Sequence, residues 1–239
     1  MVSKSPRWVI VSDFDGTITE EDLVISLTTH FCEENVGIVD AVQSGKISLG
    51  QGLSQLFGNL QSSQRDHYLA YLKAHGALRQ GLSDALAAFA KWQLPFFVVS
   101  NGLDFMVQPL LENLVEPSHV YCNRADFSQP QIRIRKPWPC DDACQGDCGL
   151  CKPRLVRLLA HRYQAPVIFI GDGRSDFLGA EAAQLVFARA SLAKHLNDSR
   201  QAYFPFEDFT QIRDMISHWL DAPPMEPNRN NAGFRQTFD

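Results

Sequence analysis

Short apolar runs alternate along the chain with stretches in which apolar residues recur every three or four positions. Continuous runs of this length are typical of strands buried on both faces of a parallel sheet. They predict four strands: Trp8 to Ser12, Phe96 to Ser100, Val167 to Ile170 and Leu185 to Ala188. The helical spacing predicts helices at Asp84 to Trp92, Arg154 to Arg162 and Asp176 to Ala183. The alternation of strand and helix predicts an α/β fold with a doubly wound parallel sheet.

The segment between the first two predicted strands has helical spacing only. Its apolar positions are Leu23, Leu27, Phe31, Leu49, Leu53, Leu56 and Phe57. Thr19, followed by Glu20, Glu21 and Asp22, predicts a capped helix start, and Gly45, Gly50 and Gly58 predict breaks. We therefore expect an all-helical cap at residues 18–80, inserted after the first strand, and a catalytic core made of residues 1–17 and 81–239.

Two later stretches lack helical periodicity. Between Tyr121 and Cys151, only Ile132 to Arg135 alternates, which predicts one strand of a small hairpin followed by an irregular, cysteine-bearing loop. The tail from Pro223 to Asp239 is rich in Pro, Asn and Gly, and we expect it to be partly mobile.

The composition and charge of the chain argue against two classes of partner, nucleic acids and membranes. The 239 residues suffice for one catalytic unit with an inserted subdomain, and the 45% hydrophobic and 21% charged fractions are ordinary for a globular protein. A net charge of −5 without a basic stripe argues against nucleic acid. No apolar run approaches a membrane span, and the N-terminus has no signal-peptide pattern, so we expect a cytoplasmic protein without a membrane partner.

Two carboxylates follow the first predicted strand directly. Asp13 and Asp15 stand in Asp-Phe-Asp-Gly-Thr, which ends at Thr17. Carboxylates this close repel each other unless a cation lies between them, so the pair predicts a divalent metal site. The alternative is an ordinary turn, for which Asp-Gly-Thr is also suitable.

Polar side chains also follow the other predicted strands. Ser100, Asn101 and Gly102 end the second strand, Asp172 and Asp176 follow the third, and Lys152 precedes a helix. Each has a plain alternative: a turn at Ser100, a helix start at Asp176 and a solvated side chain at Lys152. The carboxyl ends of the strands in an open α/β sheet are where ligands bind, so we expect these groups to meet there.

The order Asp pair, Ser, Lys, Asp pair resembles the four motifs of the haloacid dehalogenase (HAD) superfamily. The resemblance implies a Rossmann-like core and phosphoryl transfer in which Asp13 is the nucleophile and Asp15 the general acid and base. It implies catalytic roles also for Ser100, Lys152 and Asp176, and Mg²⁺ bound by Asp13, the Asp15 carbonyl and Asp172. The phosphate would be held by Thr17, Ser100, Asn101, Gly102 and Lys152.

Further segments resemble one narrower family, the phosphatases of methionine salvage. They are Tyr121 to Asn123, Cys148 to Pro153, Phe187 to Arg189, Phe204 to Phe209 and Asn231 to Gly233. The resemblance implies 2-hydroxy-3-keto-5-methylthiopentenyl 1-phosphate as the substrate, a small phosphorylated metabolite.

Three alternatives stay open. Gly171 to Phe177 is also similar to the same motif in phosphocholine and phosphoethanolamine phosphatases. Asp22 stands where phosphoserine phosphatases place a Glu, although it also suits a helix start. A protein of another class, a non-catalytic binding module with this fold, would retain the residues without turnover. The sequence is compatible with a monomer or a homodimer.

Four cysteines crowd the loop before Lys152. Cys140, Cys144, Cys148 and Cys151 fall within twelve residues, which suggests a zinc site with four thiolate ligands. Two local disulfides and four plain thiols are the alternatives. We expect the remaining two, Cys32 and Cys122, to pack as small apolar residues.

Overall fold

One seven-stranded sheet organises the protein, whose computed structural model describes residues 6–144 and 146–221. The strand order is β4-β3-β2-β1-β5-β6-β7. The strands are β1 Val9–Ser12, β2 Phe96–Leu103, β3 Val120–Asp126, β4 Arg133–Arg135, β5 Val167–Gly171, β6 Leu185–Ala188 and β7 Phe204–Pro205. All neighbours pair in parallel except β3 and β4, which are antiparallel at one edge. The predicted α/β fold and its four strands are confirmed.

Ten α-helices accompany the sheet within these two ranges. They are α1 Leu23–Phe31, α2 Asn35–Gln43, α3 Leu49–Gly58, α4 Arg65–His75, α5 Leu82–Lys91, α6 Asp104–Leu110, α7 Lys152–Tyr163, α8 Phe177–Glu181, α9 Ala190–Asp198 and α10 Phe209–Asp221. None of them combines the length and the apolar character needed to cross a membrane.

Helices cover the sheet on both faces. Alternate residues of a strand point to opposite sides, and β1 follows this rule, because Ile10 belongs to one apolar cluster and Val9 and Val11 to the other. The first cluster includes α5 and α10 side chains, and the second includes α7 and α9 side chains. The central strands β1, β2 and β5 are therefore completely buried, as their continuous apolar runs predict.

Helices α1 to α4 lie in the chain between β1 and α5, where the cap was predicted. The two ends of this insertion meet at a bridge between Thr19 and Leu78, with a hydrogen bond from the Arg79 N–H to the Ile18 carbonyl (2.8 Å). This closure lies close to the predicted limits of residues 18 and 80. The division into cap and core stays a prediction, which the bridge supports.

The predicted start of the first cap helix is wrong. Asp22, not Thr19, is the N-cap of α1, and its carboxylate accepts a hydrogen bond from the Ile25 N–H (2.9 Å). Thr19 instead closes the turn after β1, because its hydroxyl accepts from the Gly16 N–H (3.1 Å) and donates to the Glu21 carbonyl (2.6 Å). The Thr19 hydroxyl is used by the turn after β1 and is therefore not available to cap α1.

Gly50 does not break a helix, contrary to the prediction. It lies in the first turn of α3, where a Cβ atom would collide with the Asp147 side chain. Gly45, with a φ of +74°, does separate α2 from α3, and Gly58 ends α3. Close approach of a loop, and not a backbone break, explains the glycine at position 50.

The segment from Tyr121 to Cys151 contains more structure than its pattern predicted. β3 occupies its beginning, and β4 pairs with it, which confirms the half-hairpin predicted at Ile132 to Arg135. The tail from Pro223 to Asp239, including Asn231 to Gly233, lies outside the described residues.

Candidate active site

The four predicted motif segments meet at the carboxyl edge of the sheet. Parallel pairing of β1 with both β2 and β5 brings their carboxyl ends together. Asp13 and Asp15 follow β1, Ser100 lies in β2, and Asp172 follows β5. The fifth group, Lys152, is the first residue of α7. Parallel pairing thus places all five side chains at one edge, as the sequence predicted.

A buried ammonium group lies at the centre of the site. Lys152 Nζ is 2.6 Å from Asp13 Oδ1 and 2.6 Å from Asp176 Oδ1. It also donates to the Ser175 hydroxyl at 3.1 Å. Burial alone would lower the pKa of Lys152, but the charges of Asp13 and Asp176 outweigh burial and raise it above its usual value. The alternative of a solvated lysine is therefore wrong, since its side chain is 1% exposed.

Asp176 uses both carboxylate oxygens to hold its neighbours. Oδ1 pairs with Lys152, and Oδ2 accepts hydrogen bonds from the N–H groups of Asp172 and Gly173, each 3.0 Å long. It thereby fixes the loop that carries Asp172 as well as the lysine. Its helix-start role holds only for the short 3-10 turn Arg174–Asp176, where it accepts from the Gly173 N–H, since its side chain makes no capping hydrogen bond to α8.

Asp172 and Thr17 contact each other across the site. The Thr17 hydroxyl donates to Asp172 Oδ1 at 2.8 Å. Burial, and then the charge of Asp176, raise the pKa of Asp172 to about 6. Thr17 therefore orients a carboxylate in this structure, whereas the resemblance placed it among the phosphate-binding groups.

Asp15 lies against Ser100. Ser100 Oγ donates to Asp15 Oδ2 at 3.0 Å and accepts from the Gly102 N–H at 2.8 Å. The other oxygen, Asp15 Oδ1, is buried and has no hydrogen-bond partner in the described part of the chain. Burial, and next the charge of Asp22, raise the pKa of Asp15 to about 7. A carboxyl group with a free oxygen and this pKa can hold or release a proton near neutral pH.

The carboxylates fit a divalent cation. Oxygens of Asp13, Asp172 and Asp176 lie within 4.8 Å of one another, but Asp176 already has partners for both of its oxygens. Burial, followed by the charge of Asp176, raises the pKa of Asp13, and Lys152 only partly opposes this. A cation between Asp13 and Asp172 would compensate charges that one lysine does not, and hard oxygen donors favour Mg²⁺.

Asn101 and Gly102 complete the β2 end of the site. Asn101 Oδ1 accepts from the Leu150 N–H (2.8 Å), while its Nδ2 is buried without a partner among the described residues. Asn101 is also one of the residues that line the cavity above the carboxylates.

Sequence reasoning missed Arg79, which clamps the turn after β1. Its buried guanidinium donates to the carbonyls of Thr17 (2.8 Å), Gly16 (2.7 Å) and Thr19 (3.0 Å). Arg189 reaches the Gly16 carbonyl as well, at 3.2 Å. Arg79 comes more than sixty residues after the turn, so no local pattern marks it.

Gly16 permits the close approach of Asp172 to this turn. Its φ is +75°, and a Cβ atom would lie 2.5 Å from Asp172 Oδ2. We expect Gly16→Ala to lower the free energy of unfolding by about 1–2 kcal/mol through backbone strain and to weaken binding of the divalent cation that the carboxylates fit. Thermal unfolding and a calorimetric Mg²⁺ titration measure the two effects.

Gly37 offers the matched control. It lies inside α2, and a Cβ atom there would meet nothing within 4 Å. Gly37→Ala should leave the Mg²⁺ titration unchanged and stabilise the helix by up to about 1 kcal/mol. Equal Mg²⁺ titrations for both variants would contradict the role given to Gly16.

A cavity of about 970 Å³ opens above the carboxylates. Its floor is polar and includes Asp13, Asp15 and Asp172. The cap contributes an apolar wall, defined here as Ile25, Val39, Val42, Ile47, Leu49, Leu53 and Leu56. The cavity can therefore enclose a ligand that is anionic at one end and apolar at the other.

Two further side chains connect this cavity to the cap. Asp22 lines it in addition to capping α1. Arg174 donates to the Gln43 carbonyl at 2.8 Å and so joins the loop after β5 to the end of α2. Arg174 thus has a backbone partner in the cap.

The cysteines before α7 also come together. Sγ atoms of Cys140, Cys144, Cys148 and Cys151 lie within 4.8 Å of one another. All six cysteines of the chain carry free thiols. The two outside this group, Cys32 and Cys122, pack against the apolar core as predicted.

Comparison with protein families and curated proteins identifies relatives. A family model described as haloacid dehalogenase-like hydrolase matches residues 10–181. A 2-hydroxy-3-keto-5-methylthiopentenyl-1-phosphate phosphatase of Bacillus cytotoxicus is 35% identical over 214 residues, 89% of this chain and 97% of that protein. A bifunctional enzyme MtnB/MtnX of Bacillus licheniformis is 37% identical over 215 residues, 90% of this chain and 50% of that protein. The chain spans about half the length of the bifunctional relative.

Solved structures share the fold. A phospho-aspartyl intermediate analogue of phosphoserine phosphatase aligns with a TM-score of 0.66 at 17% identity, over 90% of this chain and 99% of that one. Phosphoserine phosphatase from T. onnurineus aligns with a TM-score of 0.68 at 14% identity, over 90% and 97%. At these identities the likeness concerns the fold alone.

Proposed function

The chain belongs to the haloacid dehalogenase-like hydrolase family, and from this premise we propose that it is a Mg²⁺-dependent phosphatase for 2-hydroxy-3-keto-5-methylthiopentenyl 1-phosphate. The cavity carries the proposal, because it joins a carboxylate floor, whose Asp13 is paired with buried Lys152, to the apolar wall of the cap. The phosphate would lie at the floor and the methylthio group against the wall. The name of the relative at 35% identity supports the same substrate.

Asp13 is the proposed nucleophile. It follows a fully buried strand, and the Asp13 N–H donates to the Ile170 carbonyl at 2.8 Å, so its backbone is held firmly. Lys152 Nζ, 2.6 Å from Asp13 Oδ1, orients this carboxylate and is close enough to contact a phosphoryl oxygen too. Attack of Asp13 on phosphorus forms an aspartyl-phosphate and releases the alcohol; water then hydrolyses the acyl phosphate.

Mg²⁺, held by Asp13, the Asp15 carbonyl and Asp172, would offset the negative charge of the phosphoryl group. The chain supplies the proton transfers. Among the described residues Asp15 Oδ1 has no hydrogen-bond partner, and the pKa of Asp15 is raised to about 7. Asp15 would therefore hold the proton for the leaving oxygen and later accept one from the attacking water. Ser100 keeps Asp15 turned toward the site through its 3.0 Å hydrogen bond.

The cap wall favours a substrate with an apolar tail. Its members Ile25, Val39 and Ile47 are aliphatic, and the one aromatic residue lining the cavity among the described residues is Phe177 of α8. A choline group is usually bound by several aromatic rings, so a single ring favours phosphocholine less than an apolar tail.

Asp22 could bind the amine of phosphoserine and Lys46 or Arg174 its carboxylate, since all three line the cavity. Only the extent of the apolar wall favours the methylthio group.

Phosphate release from three substrates side by side tests the proposal. With Mg²⁺ present, we expect kcat/KM for the methylthiopentenyl ester to exceed those for phosphoserine and phosphocholine by about 10- to 200-fold, since an apolar group matched to its pocket contributes about 1–3 kcal/mol. Similar slow rates on all three would leave a HAD phosphatase with another substrate. Absence of hydrolysis would favour the binding-module alternative.

A variant in the apolar wall makes this test specific. Ile47→Ser removes aliphatic surface from the wall and changes none of the proposed catalytic groups. We expect it to lower kcat/KM for the methylthiopentenyl ester about tenfold and to leave phosphoserine hydrolysis nearly unchanged. A uniform decrease on all substrates would contradict contact between the wall and the methylthio group.

The cytoplasmic location, the oligomeric state and the roles of individual site residues stay predictions. Size-exclusion chromatography with light scattering distinguishes a monomer from a homodimer.

A further inference from the structure

We propose that the four cysteines before α7 bind one zinc ion and that this centre holds Lys152 and the cap in their relative positions. The cysteine loop is defined as residues 140–151, with Cys140, Cys144, Cys148 and Cys151 as the ligands. None of these thiols takes part in the mechanism above. The argument depends on their geometry and on what the loop contacts.

The spacing of the sulfur atoms matches the ligands of a single ion. All four Sγ atoms lie within 4.8 Å of one another, and those of Cys144 and Cys148 are 3.6 Å apart. Tetrahedral zinc with bonds of about 2.3 Å places its sulfur ligands about 3.8 Å apart. A disulfide requires about 2.05 Å. The four sulfur atoms therefore have the arrangement of a tetrathiolate metal site and not that of two disulfide bonds.

Regular secondary structure does not explain this convergence. The loop contains no helix or strand in its described part. Two cysteine N–H groups donate backbone hydrogen bonds, from Cys144 to the Asp141 carbonyl and from Cys151 to the Trp138 carbonyl, each 2.9 Å long. Sulfur ligands select zinc, whereas the carboxylates select Mg²⁺. The two sites would therefore not compete for one metal.

The loop is directly connected to the catalytic lysine. Cys151 is the N-cap of α7, and Lys152 is the next residue. One residue earlier, the Leu150 N–H donates to Asn101 Oδ1 at 2.8 Å, which fixes the loop to the end of β2. A displacement of Cys151 would move Lys152 Nζ away from Asp13 and Asp176. Zinc at the cysteines would prevent that displacement.

The same loop contacts the cap. Asp147, which lies between Cys144 and Cys148, accepts a hydrogen bond from the Ser48 hydroxyl (2.7 Å), and its carbonyl accepts from the Gly50 N–H (2.9 Å). Lys136 strengthens this contact, because its Nζ lies 3.1 Å from the Gly50 carbonyl and 3.6 Å from Asp147 Oδ1. The cysteine loop thus links the start of α3 in the cap to the floor of the site in the core.

Metal content tests the binding step without any substrate. Protein purified without chelators from zinc-supplemented cultures should contain about one zinc per chain, and so should the control Cys32→Ser. Cys148→Ser should lose that zinc. Cobalt in place of zinc should give the intense visible absorption of a tetrahedral thiolate site in the wild type. If Cys148→Ser does not fold, this absorption alone tests whether the four thiolates bind one metal ion.

Wild-type protein without zinc after supplementation, with the four thiols reactive or joined as disulfides in mass spectrometry, would overturn the proposal. Because these measurements need no turnover, they are independent of the phosphatase proposal.

Kinetics test the positioning step. Removal of zinc, followed by assay at saturating Mg²⁺, should lower kcat by about 10- to 100-fold, since small misplacements of a catalytic group have effects of this size. Returning zinc should restore kcat. A purely structural centre would instead lower thermal stability and leave kcat of the folded protein unchanged, and that result would overturn the positioning role.

Discussion

Asp13→Asn is expected to lower kcat by at least about 10⁴-fold while the protein stays folded. The amide has nearly the volume of the carboxylate but is not a nucleophile, and removal of a covalent nucleophile has effects of this order. Lys152 would keep Asp176 as its partner at 2.6 Å, so no buried charge is left unpaired. Phosphate release measures the loss, and circular dichroism with thermal unfolding confirms the fold.

Asp104→Asn provides the matched control for this substitution. Asp104 also follows a strand, at the first turn of α6, and its carboxylate accepts hydrogen bonds from the N–H groups of Phe105 and Ala125. It does not line the cavity. Its variant should lose stability of about 1 kcal/mol and retain kcat. Turnover by Asp13→Asn at a rate close to that of the wild type would rule out the aspartyl-phosphate mechanism.

Lys152→Met is expected to have the largest combined effect on stability and activity. It removes the only cation within salt-bridge distance of Asp13 and Asp176 among the described residues, and both carboxylates are buried. Removing one partner of a buried ion pair lowers the free energy of unfolding by about 3–5 kcal/mol. Loss of the donor to the phosphoryl group should lower kcat by at least about 10²-fold.

The pH dependence of this variant separates charge from packing. Burial and the charge of Asp176 already raise the pKa of Asp13 in the folded protein, and Lys152 partly opposes this. Without Lys152, the pKa of Asp13 rises further above that of the unfolded chain. The folded protein then binds more protons than the unfolded chain, so its stability falls as pH rises. Measured with a chelator present, the destabilisation should be larger at pH 8 than at pH 5.

Lys91→Met, at the exposed end of α5, is the control. It should change neither activity nor the pH dependence of unfolding. A destabilisation of Lys152→Met that is the same at both pH values would indicate lost packing instead of unpaired charge.

The amino-acid sequence by itself determined the scaffold and predicted which polar groups meet at its carboxyl edge. Completely buried strands require continuous apolar runs, so β1, β2, β5 and β6 were visible as local patterns. Parallel strands share one carboxyl edge, and this rule predicts that Asp13, Ser100 and Asp172 lie close together, as they do in the folded protein. β3 was missed because polar Asn123 and Arg124 interrupt its apolar run.

Only the tertiary structure decided how these groups are held. Lys152 contacts both Asp13 and Asp176, Arg79 clamps a turn 60 or more residues away, and Asp147 contacts Ser48 at a separation of 99 residues. The same long-range contacts explain the local errors, since Thr19 is used by a turn after β1 and Gly50 makes room for Asp147. Periodicity reports which face of an element is buried, but it carries no information about which distant polar group that face meets. Those partners depend on which distant segments of the chain meet and on which buried charges compensate each other. Both are set only in the folded protein.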